Sequence, residues 1–368
     1  MEEQKLRFSV TDPVDPTPDL VEIMDRRRDY VSYGEDNLFP QYLMGLYLHS
    51  AVMESIVKGM KDYICGNGLI ISDTITDFSK KVNGDYETLE DIVEKAVFDY
   101  IMYDGFAIQV FRDEKDRIKE MYNLDFANLR LAQDGKYVYY SSDWAKYNTK
   151  SKKLSLFDRE KPVRNSVFYF KSQMTPQSKT YPIPQYIGAL SDIRTSTEIS
   201  NFHLNSILND FNASCIINLN CGSDVDEENK REVERKFKEK FAGTNNAGKF
   251  LLNFNDNKDT EMTVARLQSD DFDKRYQQLA KDVVKNIFIA FRAMPQLFGF
   301  VIEGSLFNNE EYEQNFRLYN RTVIHPYQRA IQRAFNTMFG LENSFIIKPF
   351  TMVDTKVEEK TETVEEVQ

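Results

Sequence analysis

Cysteine, histidine and tryptophan are scarce in this chain, which holds three cysteines, three histidines and one tryptophan among 368 residues. The cysteines, Cys65, Cys215 and Cys221, are odd in number and widely spaced, which is typical of reduced thiols in a cytosol-like compartment. No spacing of cysteine and histidine matches a zinc site. We therefore expect neither a disulfide nor a bound metal, and no cofactor.

Long apolar runs are missing as well. No stretch approaches the roughly 20 apolar residues that a membrane-spanning helix needs. The opening segment, Met1–Val10, carries charge where a secretory signal would be apolar. The sequence therefore predicts a protein that is not exported and has no membrane partner.

A surplus of positive charge is also absent. The chain has 47 lysines and arginines against 58 aspartates and glutamates, which gives a net charge of −11. A protein that grips DNA through its phosphates normally shows a basic face. A DNA duplex carries about one negative charge per 1.7 Å, so an acidic surface would repel the duplex and let it slide.

The first half of the chain mixes helical and strand-like patterns. Apolar residues recur at helical spacing over Pro40–Cys65, where Gly66–Gly68 stops the helix, and again over Leu89–Met102. Asp134-Gly135 is a hairpin signal. Short segments rich in aromatic and β-branched residues indicate strands, at Phe106–Phe111, Arg117–Tyr122, Leu129–Ala132, Tyr137–Ser141 and Ser166–Phe170. These patterns predict an α+β domain.

Three long helices dominate the second half. Tyr181–Pro184, which contains two prolines, marks the boundary before them. The apolar spacing predicts helices over about 186–213, 270–294 and 309–339, and Pro326 should kink the third. The apolar seam of the first helix is small and polar at its middle, which suits close packing against another helix.

A charged insert, residues 214–269, separates the first two long helices. We expect it to form a small α/β module, with a strand over Ser214–Asn218, a helix over Glu227–Phe241 and further segments over Lys249–Phe254 and Met262–Leu267. Charged residues cover all of that helix except one apolar stripe. A surface for docking another protein and a merely solvated face explain this equally well. The candidate docking residues are Glu227, Lys230, Arg231, Lys236, Lys238 and Lys240.

The connection between the second and third long helices is unusually apolar. Pro295 is expected to end the second helix, and the loop then covers residues 295–310. An apolar run in a connection either folds under the body of the protein or meets a partner. The candidate functional residues of the loop are Phe298, Gly299, Phe300, Val301, Ile302, Glu303 and Gly304.

No part of the sequence indicates a catalytic site. Gly243–Lys249 matches the start of a nucleotide-binding P-loop, but Phe250 stands where Mg²⁺ needs the hydroxyl of a serine or threonine. The loop also follows a predicted helix and opens a predicted strand, which reverses the order that phosphate binding requires. No nucleophile and base are paired by the sequence. We expect a protein that is not an enzyme.

Several short strings, in their order along the chain, resemble the portal proteins of tailed double-stranded DNA phages. The resemblance covers most of residues 30–340. The strings match the opening of such proteins, the end of their first helix, the entry into the first stem helix, a turn in the clip and the helix after the channel loop. They are Tyr33–Pro40, Gly66–Leu69, Tyr181–Leu190, Asn245–Lys249 and Thr322–Phe335, which includes Pro326.

The resemblance implies a ring, usually a dodecamer, at one vertex of a capsid. A terminase would pump DNA in through this ring, and the DNA would later leave through it into the tail. The implied partners are further copies of the chain, the terminase, the major capsid or scaffolding protein, a head–tail adaptor and double-stranded DNA that passes without specific binding. The protein would be assembled in the host cytoplasm and end in the virion.

Carried over by position, the resemblance divides the chain into the regions of a portal-type fold. The wing would comprise residues 1–185, of which 1–20 would form an extended arm. It would also include the kinked helix and a short crown-side segment over residues 311–350. The stem would comprise 186–213 and 270–294, the clip 214–269 and the channel loop 295–310. A helical crown is reduced or missing, since a disordered acidic tail over 351–368 is all that is expected to follow.

Two other functions stay open from the sequence. One is another phage structural protein, such as a head–tail adaptor or a minor capsid component. The other is a nucleotide-dependent DNA translocase, which would depend on Lys249. The acidic charge, the paired long helices and the lack of a catalytic grouping favour the portal over both.

Overall fold

The computed structural model describes residues 18, 20–25, 27–146, 150–172, 180–208, 215–220, 235, 250–255, 272–300, 309–340 and 345–351. The chain divides into two units. Unit 1 comprises Met1–Gly188 and Phe288–Gln368, and unit 2 comprises Ala189–Ile287. Most of the arm predicted over residues 1–20 lies outside the described part of the chain.

The described elements alternate between helices and strands in the first half and are mainly helical in the second. The helices are α1 (Phe39–His49), α2 (Ala51–Cys65), α3 (Thr76–Ser79), α4 (Leu89–Tyr103), α5 (Leu190–Leu208), α6 (Phe272–Ala290), α7 (Asn309–Tyr319) and α8 (His325–Phe339). The strands are β1 (Glu22–Met24), β2 (Val31–Tyr33), β3 (Leu69–Ile71), β4 (Gly105–Arg112), β5 (Ile118–Leu124), β6 (Leu129–Leu131), β7 (Tyr137–Tyr140), β8 (Lys152–Leu156), β9 (Asn165–Lys171), β10 (Cys215–Asn220), β11 (Phe250–Asn255) and β12 (Phe345–Ile347). Across the described ranges, no helix is long and apolar enough to cross a membrane.

A six-stranded sheet with the strand order β5-β4-β9-β8-β7-β6 forms the centre of unit 1. Neighbouring strands are antiparallel except β8 and β9, which run parallel. The predicted strands correspond to β4, β5, β6, β7 and β9, and Gly135, with φ 67°, forms the predicted turn between β6 and β7. The sequence pattern misses β8, because its residues, KKLSL, include neither an aromatic nor a β-branched side chain.

The single helix predicted over Pro40–Cys65 is in fact two helices. α1 ends at His49 and α2 begins at Ala51, because Ser50 between them is extended, with φ −108° and ψ 106°. The hydroxyl of Ser50 accepts a hydrogen bond from the Met53 N–H at 3.3 Å and so caps α2. Periodicity misses this break because apolar residues continue at helical spacing across it.

Arg130, in β6, is a fully buried positive charge, with an exposed fraction of 0%. Its guanidinium donates to Asn37 Oδ1 at 2.6 Å, to the Ala127 carbonyl at 2.8 Å and to Gln41 Oε1 at 3.2 Å. Burial lowers the pKa of Arg130 to about 10. The side chain therefore stays charged at neutral pH, and its neutral acceptors tie the start of α1 to the edge of the sheet.

Asp104 connects α4 to β4 in a buried corner of unit 1. The residue has the left-handed φ of 58°, and its N–H donates to the Tyr100 carbonyl at 3.0 Å. Gln185 Nε2 donates to Asp104 Oδ1 at 3.4 Å. Burial, partly opposed by hydrogen bonds from Ser172 and Gln185, raises the pKa of this carboxyl to about 7.

The helix predicted over 309–339 consists of three consecutive segments, which are α7, a π-turn over Asn320–Ile324 and α8. We call them together the helical run. Phe335 of this run stacks on Phe345 of β12, with 4.8 Å between ring centroids, and on Phe106 of β4, at 6.2 Å. The run thereby closes the core of unit 1 over the central sheet. Its buried side chains fall at the predicted spacing and include Phe316, Tyr319, Val323, Tyr327, Ile331, Phe335 and Met338.

Unit 2 contains the strand pair β10–β11, α5 and most of α6. The two strands are parallel, with Cys215 opposite Phe250. Parallel strands cannot be joined by a tight turn, and residues 221–249 separate these two strands in sequence. Because β11 begins at Phe250, Lys249 directly precedes a strand, which is the order that the sequence predicts. Between the helices, Asn286 Nδ2 donates to Asp192 Oδ1 at 3.1 Å.

The apolar seams of α5 and α6 are only partly covered in the single chain. Ile193 and Val283 are buried, as the spacing predicts. Leu279 on α6, however, is 43% exposed, and Leu204 on α5 is 55% exposed. These two helices therefore leave apolar side chains without cover in one copy of the protein.

Replacing Asp104 by asparagine should remove a pH dependence of stability. An aspartate in an unfolded chain has a pKa of about 4, whereas burial raises the pKa of Asp104 to about 7. The folded state therefore binds an extra proton between these values, and the stability that this proton gives is lost as the pH rises toward about 7. Across this window the free energy of unfolding of the wild type should fall by about 3 kcal/mol relative to Asp104→Asn.

Urea unfolding of both proteins, at several pH values across this window, measures the difference. Asparagine tolerates the left-handed φ and keeps the oxygen that accepts from Gln185, so the variant should fold. Asp73→Asn, at an exposed position, is the control for the same chemical change. Parallel stability curves for the wild type and Asp104→Asn would show that the carboxyl is already ionised in the fold.

Candidate functional site

The apolar connection after α6 starts earlier than the sequence predicts. α6 stops at Ala290 rather than near Met294, because Arg292 takes the left-handed φ of 55° and the Ala293 N–H donates to the Phe288 carbonyl at 2.9 Å. Pro295 does not end the helix but opens a short 3₁₀ turn, Pro295–Phe298. We call this turn the loop root.

The loop root is packed into the core of unit 1. The ring of Phe298 lies edge-on to Tyr63 and Tyr319, each with 5.9 Å between centroids. A Cβ added at Gly59 of α2 would lie 2.7 Å from two carbons of the Phe298 ring, so the ring sits in a notch that only glycine leaves open. The Tyr63 hydroxyl donates to the Leu297 carbonyl at 2.9 Å, which holds the backbone of the root in place.

Gly299 and Phe300, the described candidate loop residues beyond Phe298, are exposed. Gly299 has a φ of 75°, which favours glycine because it lacks a Cβ. Phe300 follows and is 45% exposed, with its ring centroid 5.6 Å from that of Phe288. Val301, Ile302, Glu303 and Gly304 lie outside the described residues. Of the predicted loop residues, the structure thus places Phe298 in the body of unit 1 and Phe300 at its surface.

The helical run changes its winding directly before Pro326. Proline has no N–H to donate to the carbonyl of residue 322, and its ring would clash with that carbonyl in a regular α-helix. The preceding turn is π-helical instead, and the His325 N–H donates to the Asn320 carbonyl. The Thr322 carbonyl accepts a long hydrogen bond, of 3.4 Å, from Nη2 of Arg292. The end of α6 is thereby bonded to the π-turn.

The points where the chain leaves and re-enters unit 1 are held together. Tyr186, shortly before Gly188, stacks on Phe291, shortly after Phe288, with 4.6 Å between ring centroids. The Tyr186 hydroxyl donates to the Met102 carbonyl at 2.7 Å. Within unit 1, the residues before Ala189 and those after Ile287 therefore pack against each other.

An open groove of about 970 Å³ runs along α8 and is rimmed by Arg159, Arg292, Arg329 and Arg333. We call it the basic groove. Its floor is apolar or uncharged, and none of the described residues that line it is an aspartate or glutamate. The floor and walls include Tyr100, Ser172, Gln185, Val323, Pro326, Tyr327, Ala330, Gln332, Asn336, Phe345 and Ile346.

A second, smaller hollow adjoins the groove along the same helix. It is lined by Arg321, His325 and Arg329 on one side and by Ile347 and Pro349 on the other, and it too has no carboxylate among its described lining residues. Arg321, His325, Arg329 and Arg333 follow one another in steps of four, and we call this row the basic stripe. Sequence reasoning missed the stripe, although the step of four on a predicted helix was the signal that could have found it.

The other predicted site residues cannot be placed. The docking residues Glu227, Lys230, Arg231, Lys236, Lys238 and Lys240 lie outside the described part of the chain. Within that part, no three or more histidine, cysteine or acidic side chains are grouped so as to hold a metal ion. Burial raises the pKa of the Cys65 thiol to about 12, so this cysteine is not a thiolate nucleophile at neutral pH.

Comparisons with known proteins agree on one kind of fold. A family model described as phage portal protein matches residues 77–363. Among solved structures, the chain is similar to one in the neck of an empty gene transfer agent particle computed with C6 symmetry, with a TM-score of 0.57 and 15% identity over 85% of each chain. It is similar to one in the neck of the native particle, computed with C12 symmetry, with a TM-score of 0.55 and 16% identity over 84% of each chain.

An HK97-family phage portal protein from Corynebacterium diphtheriae is also similar, with a TM-score of 0.54 and 10% identity over 83% of this chain and 95% of that one. No curated protein matches. At such low identities the likeness concerns the fold alone. It confirms the predicted α+β architecture.

Gly59→Ala should displace the loop root. The added Cβ would meet the Phe298 ring, and such overpacking costs about 1–3 kcal/mol of unfolding free energy. Gly45→Ala in α1 is the matched control, since its Cβ would meet nothing within 4 Å. That control should gain about 0.5–1 kcal/mol, the usual gain from alanine in a helix.

Chemical denaturation of both variants measures these changes. Repeating Gly59→Ala in a Phe298→Ala background should remove most of its cost, because the ring that it meets is gone. Equal effects of the two glycine substitutions would mean that Phe298 does not occupy the notch at Gly59.

Proposed function

We propose that this chain, which belongs to the phage portal protein family, is one subunit of a ring-shaped channel at one vertex of a phage-type capsid. A terminase packages DNA into the head through the ring, and the DNA later leaves through it into the tail. The family match over residues 77–363 carries this proposal. The likeness to a neck structure computed with C12 symmetry supports a dodecameric ring.

The two units support an assignment of portal regions. Unit 2, residues 189–287, agrees in extent with the stem and clip that the resemblance assigns to 186–294. Its helices expose Leu204 and Leu279, which suits packing against neighbouring copies of the same helices. A heterologous contact of this kind closes into a ring when its rotation is right. Unit 1 then supplies the wing.

The channel loop follows from the same assignment. Phe298 fixes the root of the loop in unit 1, while Phe300 is exposed. We assign residues 301–308 to the part of the loop that narrows the channel around DNA. Glu303 is its only charged residue, and with screening over about 8 Å only charges this close to DNA are felt. DNA is guided by apolar or repulsive contact and is not held.

The partners follow from the position in the particle. The clip helix over Glu227–Phe241 docks the terminase during packaging and a head–tail adaptor afterwards, through Lys236, Lys240 and the other charged residues predicted there. The wing contacts the major capsid or scaffolding protein. The complex assembles in the host cytoplasm and remains in the virion.

Neither alternative function gains support from the structure. An adaptor or minor capsid component would not account for the family match over residues 77–363. A nucleotide-dependent translocase would need a helix after Lys249, where β11 begins instead. The proposed channel is not an enzyme.

A loop variant tests the function without touching the root. Val301→Ser combined with Ile302→Ser should give heads that assemble and contain the ring but package or retain less DNA, because the channel is no longer narrowed by apolar side chains. Phe298 is kept, so the fold of unit 1 is preserved. DNA-filled and empty heads are counted by electron microscopy after density-gradient separation.

Val163→Ser is the control, since Val163 is an apolar residue that is 43% exposed elsewhere on unit 1. It should leave the fraction of filled heads unchanged. If the loop variant packages DNA as well as the wild type, the channel assignment of residues 301–308 is wrong. If heads form and fill normally in the absence of the chain, the portal function itself is wrong.

A further inference from the structure

We propose that the basic groove is a binding site for an acidic peptide segment, and that its occupant is residues 352–368 of the same chain. This inference does not depend on the proposed channel function. It rests on the charge of the groove, on the path of the chain beside it and on the composition of the segment that follows.

The charge of the groove is unbalanced. Five arginines line the groove and the adjoining hollow, at positions 159, 292, 321, 329 and 333, with no carboxylate among the described lining residues. Arg329 and Arg333 are exposed and lie one helical turn apart, where like charges repel each other. In a chain with a net charge of −11 such a surface is unusual. An anionic partner would relieve the repulsion.

The residues that precede the acidic segment line the groove and the adjoining hollow. Asn336 of α8 binds both backbone groups of Phe345, accepting its N–H at 3.0 Å and donating to its carbonyl at 2.9 Å. Pro349 then lines the hollow beside the basic stripe. Asn67 Nδ2 donates to Thr351 Oγ1 at 3.2 Å, so the path is fixed up to that residue. Residues 352–368 therefore follow in sequence directly after Thr351, two residues beyond Pro349 of the hollow.

Residues 352–368 are long enough to extend along the basic stripe, and their acidic side chains complement its arginines. The row from Arg321 to Arg333 spans about 18 Å of helix, whereas 17 extended residues reach roughly 55 Å. The segment carries six acidic residues and two lysines. Its valines recur among the acids, at Val353, Val357, Val364 and Val367.

These valines favour a peptide over nucleic acid as the occupant. The floor of the groove includes Tyr327, Ala330 and Phe345, which suit apolar side chains, whereas a DNA backbone would use only the arginine rim. A tethered segment also has an effective concentration in the millimolar range, which makes even a weak contact well occupied. We therefore assign the site to the chain's own acidic segment.

A competition experiment on the full chain tests the assignment. In one variant the six acids are made neutral, by Asp354→Asn with Glu358→Gln, Glu359→Gln, Glu362→Gln, Glu365→Gln and Glu366→Gln. A fluorescent peptide with the wild-type sequence of residues 352–368 is the probe, and its anisotropy reports binding. The neutral variant should bind the peptide, and the wild type should bind it at least about tenfold more weakly because its own segment fills the groove.

Charge variants locate the site. Adding Arg329→Glu and Arg333→Glu to the neutral variant should weaken peptide binding by about tenfold or more, and added salt should weaken it too. Arg329→Lys with Arg333→Lys should keep most of the binding, which separates loss of charge from loss of fold. Lys115→Glu with Lys119→Glu, an equal charge change at exposed positions on β5 and the turn before it, should have no effect.

Several results would overturn the proposal. The wild type and the neutral variant could bind the peptide equally, or neither could bind it. The neutral variant could bind a short DNA duplex more tightly than the peptide through the same arginines, which would make the groove a nucleic-acid site. It could also self-associate through Arg329 and Arg333 without competition from the peptide, which would make the groove an interface between copies.

Discussion

Pro326 has no backbone N–H, and a regular α-helix cannot pass through that position without a clash at the carbonyl of residue 322. The structure meets this constraint with the π-turn Asn320–Ile324 and with the bond from Arg292 to the Thr322 carbonyl. That bond joins the end of α6 to the helical run. The loop root lies between these two elements in sequence, and the basic groove opens beside them. One missing donor is therefore linked to the local winding of the helical run and to its bond with the end of α6.

Within unit 1, the start of the loop is fixed in place. Phe298 fills the notch at Gly59, and Tyr186 stacks on Phe291. Unit 2 exposes Leu204 on α5 and Leu279 on α6. In the proposed ring, neighbouring copies of the chain would cover these apolar side chains.

Much of this fold could be predicted from the sequence, and the failures have physical causes. Long periodic helices and the Asp134-Gly135 hairpin are local signals, and the sequence predicts both. The break at Ser50 and the early end of α6 at Arg292 depend on single backbone conformations that periodicity does not record. The notch at Gly59 and the basic groove bring together residues far apart in sequence. Only the spacing by four of the arginines and His325 of the basic stripe can be read from the sequence.

The copy number of the chain in assembled particles decides whether it forms a portal ring. Native mass spectrometry and electron microscopy of necks purified from heads measure this number. We expect one closed ring at a single vertex, with the mass of a dodecamer of the 43.1 kDa chain. A chain that remains monomeric in assembled heads, or that is spread over many capsid positions, would show that it is not a portal subunit.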